Sequence, residues 1–216
     1  MNMSPTNLKI LQLYRRDLAY HNIYHPLELL ELHETGKTRG IEIPGYTSPA
    51  AMMTGDYDYD DYLWDESSLI SAIVAHDVIY NPGAPKGENE RASFEKWLEV
   101  GTHNPGNLME PLVMATATHD PDSVKVADEN HRHLVAHMID LDMSVLGASR
   151  LEFDRNSANV AQEFGTLGYT AEQCRVGRLK FFESVLKQDE IFFTPQFHGA
   201  LEAKARQNMI EDLDAA

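Results

Sequence analysis

The run SLISAIVAHDVIY, residues 68–80, sets the tightest limit on how this chain can fold, because it places His76 and Asp77 among Leu69, Ile70, Ile73, Val74, Val78 and Ile79. Apolar residues at that density read as a buried helix from Ser68 to Tyr80, ended by Asn81-Pro82-Gly83. A carboxylate in such a segment costs on the order of several kcal/mol unless it is paired or binds a metal. Its partners must come from other stretches of the chain. The dipeptide alone carries little: with 10 histidines, chance supplies roughly one such pair, and a second, His119-Asp120, stands beside Pro121 and Asp122 in polar surroundings. Only the first has an apolar setting.

The rest of the sequence reads as helix, in one domain. Ser4-Pro5 is a cap followed by proline at the first helical position, opening a helix through roughly Tyr20. A second helix from His25 to about His33 stops before the breakers Gly40, Pro44, Gly45 and Pro49, in the stretch from Gly36 to Gly55. The acidic run GDYDYDDYLWDE that follows reads as a solvated lip. ENERASFEKWLEV is helical with Phe94, Trp97 and Leu98 at core spacing, and further helices fall at roughly 107–119, 123–141, 149–166, 170–187 and 195–213. Thr170 with Gln173 forms a capping-box pattern, and Thr194-Pro195 repeats the cap-then-proline signal. Strand-like alternation is nearly absent, and no repeat or linker divides the chain. The expected fold class is an all-α, single-domain helical bundle.

Two segments can supply partners for His76 and Asp77. One is YHNIYHPL, with His21 and His25, where Pro26 makes His25 the start of a helix. The other is ENHRHLVAHMIDLDMSVLG, where His133, His137, Asp140 and Asp142 recur near helical spacing among apolar residues. Taken alone, each segment is equally a polar surface or a solvated helix end. His33, His103, His131 and His198 read as surface residues, Phe181, Phe182, Phe192 and Phe193 as core, and Cys174 as a buried or partly buried thiol.

Charge and composition narrow the partners. A formal net charge of −16 repels a nucleic acid polymer but leaves a small phosphorylated substrate open, since a bound cation inverts the local field. No window approaches a membrane span, and the N-terminus does not read as a signal peptide. One cysteine and no internal disulfide fit a reducing compartment, so the expected location is cytoplasmic.

In order, these segments resemble the HD superfamily of metal-dependent phosphohydrolases, and within it the bacterial group described as predicted metal-dependent HD phosphohydrolases. Tyr20-His21-Asn22-Ile23-Tyr24-His25 matches that group's YHNxxH segment, and Ala72 through His76, Asp77 and Tyr80 matches its AxxxHDxxY. Asn89, Glu90 and Ser93 match a DNExxS segment that here opens with Glu88; Asp140, Asp142, Leu146 and Gly147 match DxDLxxLG. Gly177-Arg178, Ile191-Phe192-Phe193-Thr194 and Ala205-Arg206-Gln207-Asn208 complete a likeness over roughly residues 13–213. Leu18 stands where the group usually has arginine.

The resemblance implies an HD-type bundle in which His25, His76, Asp77 and one of Asp140 and Asp142, with Asp142 preferred, hold a divalent transition metal. Imidazole and carboxylate without thiolate suit Mn, Fe, Co, Ni or Zn, with Mg also admitted. His21 and Glu90, with Asp77, are the candidates for acid–base work, Asn89 for orienting substrate, and Arg178 for clamping phosphate, although an ordinary exposed salt bridge is the better explanation of Arg178. The implied activity is hydrolysis of a phosphate ester or anhydride in a small metabolite, foremost a nucleotide. The alternatives are a module that binds metal or nucleotide without turnover, an iron-dependent oxygenase on the same scaffold, and a structural helical protein, for instance a homodimer, whose histidines and aspartates satisfy one another.

Overall fold

Cap residues set several of the helix starts. Ser4 accepts the Asn7 amide at 3.1 Å ahead of Pro5 and opens α1 (Pro5–Leu11). The Thr170 and Gln173 side chains exchange bonds with each other's amides in a full capping box that opens α8 (Ala171–Val185). The computed structural model describes residues 3–49, 59–101 and 106–215, and within them the chain is all-α. Between those two helices come α2 (Tyr24–Thr35), a hairpin of β1 (Lys37–Thr38) and β2 (Ile41–Glu42), α3 (Tyr59–Ala75), α4 (Glu88–Val100), α5 (Met109–Ala115), α6 (Glu129–Met143) and α7 (Arg150–Thr166); α9 (Pro195–Asp214) closes the order. No helix among the described residues is long and apolar enough to cross a membrane.

The core is centred on α3. Leu69 and Ile73 of α3, Leu112 of α5, Leu134 and Ile139 of α6 and Leu32 of α2 are fully buried. Each such side chain contributes roughly 1.5–3 kcal/mol by leaving water. Trp97 of α4 is buried and donates through Nε1 to Asn7 Oδ1 at 3.3 Å, which ties α4 to α1. A short 3-10 turn, Ser144–Gly147, carries α6 into the surface on which α9 lies. A Cβ on Gly147 would stand 2.6 Å from Leu201 Cβ, so α9 packs closer there than a side chain allows.

The sequence reading is corrected at four places. First, α1 stops at Leu11 rather than Tyr20: the Gln12 and Leu13 amides close short turns onto Lys9 and Ile10, and further along the Tyr20 and His21 amides bond to Glu163 Oε1 at 2.5 and 2.7 Å. Second, the buried helix ends at Ala75. Beyond it Ile79 bonds through both its N–H and its C=O to the Ser93 hydroxyl, and Asn81 does the same with the Asn89 side chain, so α4 holds the chain in a turn. Third, the acidic lip is helical from Tyr59; Gly55 to Asp58 lie outside the described residues. After Gly55 that run contains no breaker. Fourth, the helix expected at 123–141 begins only at Glu129, after a 3-10 turn at Pro121–Ser123.

Asp140, fully buried on α6, accepts the Phe193 and Thr194 amides at 2.8 Å each and the Thr194 hydroxyl at 2.6 Å. Burial pushes its carboxyl up to about 7 against those three hydrogen bonds. Thr194 therefore spends its hydroxyl on α6 rather than on capping α9. Asp140→Ala strands three buried donors and is expected to lower stability by about 2–4 kcal/mol, read as a fall in Tm by calorimetry; a Tm within a degree or so of wild type would show that water replaces the carboxylate.

Candidate metal centre

Four side chains from three distant stretches meet at helix ends. His25 is the second residue of α2, His76 and Asp77 follow the last turn of α3, and Asp142 is the last residue but one of α6. One donor atom from each lies within 4.8 Å of all the others. His25 Nε2 stands 3.2 Å from His76 Nε2, 3.3 Å from Asp142 Oδ1 and 3.6 Å from Asp77 Oδ2; His76 Nε2 is 3.1 Å from Asp77 Oδ2 and 3.5 Å from Asp142 Oδ1. Donors at about 2.0–2.2 Å from one ion are roughly 3.0–3.5 Å apart, so the spacing is that of a shared coordination shell.

The tautomers agree. His76 Nδ1 lies 3.0 Å from the Ile73 carbonyl, which can only accept, so Nδ1 carries the hydrogen and the neutral ring offers its Nε2 lone pair to the cluster. Burial is nearly complete, with His25, His76 and Asp77 at 6%, 1% and 8% exposure. Burial opposes ionisation of Asp77, but the imidazoles of His76, His21 and His25 outweigh it and hold the carboxyl at about 2. Asp142 is likewise held well below the carboxylate range, where hydrogen bonds from His119, His25 and His76 overcome burial. The donor set and its spacing fit a divalent cation held by His25, His76, Asp77 and Asp142.

Around the four stands a ring of supporting groups. His21 stacks on Tyr80 with ring centroids 3.4 Å apart, bonds through Nδ1 to Glu163 at 2.7 Å, and keeps Nε2 3.9 Å from Asp77 Oδ2. Glu90 on α4 is raised by burial and by the charges of Asp77 and Asp142. His119 Nε2 lies 3.2 Å from the second oxygen of Asp142. Sequence reasoning missed His119, whose polar neighbours set it aside; the repeated His-Asp pair was its one signal. It missed Glu163 altogether, since a glutamate on an amphipathic helix carries no signal of its own.

Other expected residues fall elsewhere. Asn89 clasps Asn81, and Arg178 pairs with Asp212 on α9 at 3.1 Å and lies over the Phe182 ring, so its charge is met within the fold. Asp140, the alternative last ligand, is committed to Phe193 and Thr194. His33 and His137 are buried, not superficial or ligating: His33 Nδ1 is 3.1 Å from His137 Nε2, and its Nε2 is 2.9 Å from Glu66. His131 is 3.1 Å from Asp65, and Phe181 is 39% exposed rather than core. His103 lies outside the described residues. No family model matches the sequence, and no curated protein matches it.

Glu163 is 1% exposed and fixes the whole turn that presents His21 and His25. Glu163→Ala is expected to weaken Mn2+ binding about 10–100-fold without removing a donor atom, measured by titration calorimetry; wild-type affinity in this variant would refute that positioning role.

Burial alone would depress the His76 imidazole, but Asp77 and Asp142 raise it well above its ordinary value. A raised imidazole stabilises the metal-free protein fully below about pH 6.5, and that contribution is lost as pH rises through the folded value. The proton and a cation compete for Nε2. Mn2+ affinity is therefore expected to rise, with proton release, as pH increases from about 6.5 toward the raised folded value; a flat profile over that rise would exclude the competition.

Proposed function

We propose that this protein is a metal-dependent phosphohydrolase acting on a small phosphorylated metabolite, with a nucleotide as the foremost candidate. The observation that carries the reading is the convergence of two imidazoles and two carboxylates at coordination spacing in a buried site. The ordered likeness to the HD phosphohydrolases supports the choice of reaction. Mixed nitrogen and oxygen donors favour Mn, Fe, Co, Ni or Zn over an all-oxygen magnesium site.

A divalent cation held there would polarise a phosphoryl oxygen and make a water molecule acidic near neutral pH. The chain's own residues supply the rest. His25, His76, Asp77 and Asp142 would hold the cation, and His119 fixes the Asp142 oxygen turned toward it. His21 is locked between Tyr80 and Glu163, so its Nε2 holds or passes a proton beside Asp77. Glu90, whose carboxyl is raised, is a second proton holder on the α4 side. The net charge of −16 favours a small substrate over a polyanionic one.

Purified protein loaded with Mn2+ is expected to hydrolyse at least one member of a panel of nucleotides and sugar phosphates. His76→Ala and Asp77→Ala should each lose both the bound ion and at least about a thousandfold of the rate. Hydrolysis that survives in both variants would sink the reading. A wild-type protein that binds Mn2+ but turns nothing over would reduce it to a binding module.

A further inference from the structure

The donors His25 and Asp142 also form one wall of a narrow cleft whose other lining includes Thr38, Arg39, Arg155 and Asn156. In a chain with 34 acidic and 18 basic residues, two arginines beside the candidate metal donors call for an explanation.

The hairpin accounts for the first. Arg39 and Gly40 form its tip, between β1 and β2. Gly40 has φ +72, and a Cβ there would stand 2.7 Å from both Glu152 Cγ and Ser149 Oγ. Its carbonyl accepts the Ser149 amide at 2.9 Å, so the tip is docked on the start of α7. This contact sets Arg39 at the cleft. Among the described residues Arg39 has no ion-pair or hydrogen-bond partner.

The second arginine comes from α7 itself. Arg155 Nη2 is 2.6 Å from Glu152 and 4.0 Å from Glu28, which fixes one edge of the guanidinium. Its Nε, and the Thr38 hydroxyl across the cleft, are buried with no hydrogen-bond partner in the protein. Buried polar groups are nearly always paired, so a cleft lined by two unpaired ones suits an occupant rich in acceptor oxygens.

We infer that this cleft seats the phosphoryl group of the substrate, with Arg39, Arg155 and Thr38 as its anchors; the inference rests on the phosphohydrolase reading. A phosphoryl group supplies several acceptor oxygens in one small tetrahedral unit. Guanidinium meets such oxygens through paired N–H donors, and the hydroxyl of Thr38 supplies a further one. An oxygen held between the arginines and the His25–Asp142 wall lies beside the cation's donors, which is where the proposed reaction needs it.

The test is calorimetric titration of inorganic phosphate into the full chain loaded with Mn2+. Wild type is expected to bind phosphate. Arg39→Gln should weaken that binding at least about tenfold while Mn2+ affinity stays within about twofold, and Thr38→Val should act in the same direction. Arg39 is exposed, so its replacement leaves the core untouched. Gly40→Ala, which displaces the tip, should mimic Arg39→Gln with the far-UV circular dichroism unchanged. Equal phosphate affinity in wild type and Arg39→Gln, or no phosphate binding by Mn2+-loaded wild type, overturns the assignment. If wild type takes up no Mn2+, the metal reading fails instead; phosphate titrated into that metal-free protein then decides the cleft separately, by whether binding depends on Arg39.

Discussion

Asp77 and Asp142 lie together at the ends of two apolar helices, and the arrangement of the fold follows from making that bearable. An unpaired buried carboxylate is among the more expensive things a fold can contain. The chain meets the cost by bringing His25 and His76 against both carboxylates, at 3.1 to 3.6 Å. The helices add to this. His76 and Asp77 follow the C-terminal end of α3, and Asp142 lies in the last turn of α6. Each C-terminus bears partial negative charge worth roughly 0.3–1 kcal/mol toward a nearby cation. Converging helix ends and carboxylates thus build a field for positive charge, faced by the His25 and His76 imidazoles and able to hold a metal ion.

Helix geometry also separates the two aspartates of α6. Residues two apart on a helix point about 200° from each other. Asp142 turns toward the histidines, and Asp140 turns away to gather the Phe193 and Thr194 donors at the start of α9. One helix turn therefore does two jobs at once, fixing the last helix and completing the cluster. Opposite shifts follow from the surroundings: burial dominates at Asp140 and raises it, while imidazoles dominate at Asp142 and lower it.

Much of this was legible in the residues. Helix starts at Pro5 and Ala171 follow from cap chemistry that lies within four residues of chain, the start at Pro195 follows from its proline alone, and α4 covers the run from Glu88 to Val100 that periodicity marks. Of the four clustered residues, His25 and Asp142 were singled out by the resemblance to the HD phosphohydrolases, whereas His76 and Asp77 were legible from their apolar run. Ends and exclusions were not. Nothing between Gln12 and Tyr20 is a helix breaker, yet α1 ends at Leu11, and Glu163, more than 140 positions away, holds the Tyr20 and His21 amides of the turn that follows. His33 and His137 look polar in sequence but are buried, since each is a hydrogen-bond partner for the other. His119 sits in polar sequence and still reaches Asp142, at a left-handed φ of 52 that no pattern announced. Local chemistry writes caps and apolar faces into a sequence, whereas long-range hydrogen bonds are written only in the fold.

The small hairpin illustrates how a local charge can oppose the charge of the whole. At −16 the molecule repels anions at long range, yet the field of exposed charges fades over roughly 8–10 Å at physiological ionic strength. Inside that distance the nearest groups decide. Of the two strands of two residues each, only Ile41 enters the core, and a two-stranded ribbon is not stable alone. It persists here because Gly40 lets the tip press onto Ser149 and Glu152 without a side chain between. The consequence is an unpartnered arginine held at the rim of the cluster, in a position that an all-helical backbone with longer turns would leave to chance. A long-range field that turns polyanions away is thereby compatible with a short-range one suited to the small anion proposed for this cleft.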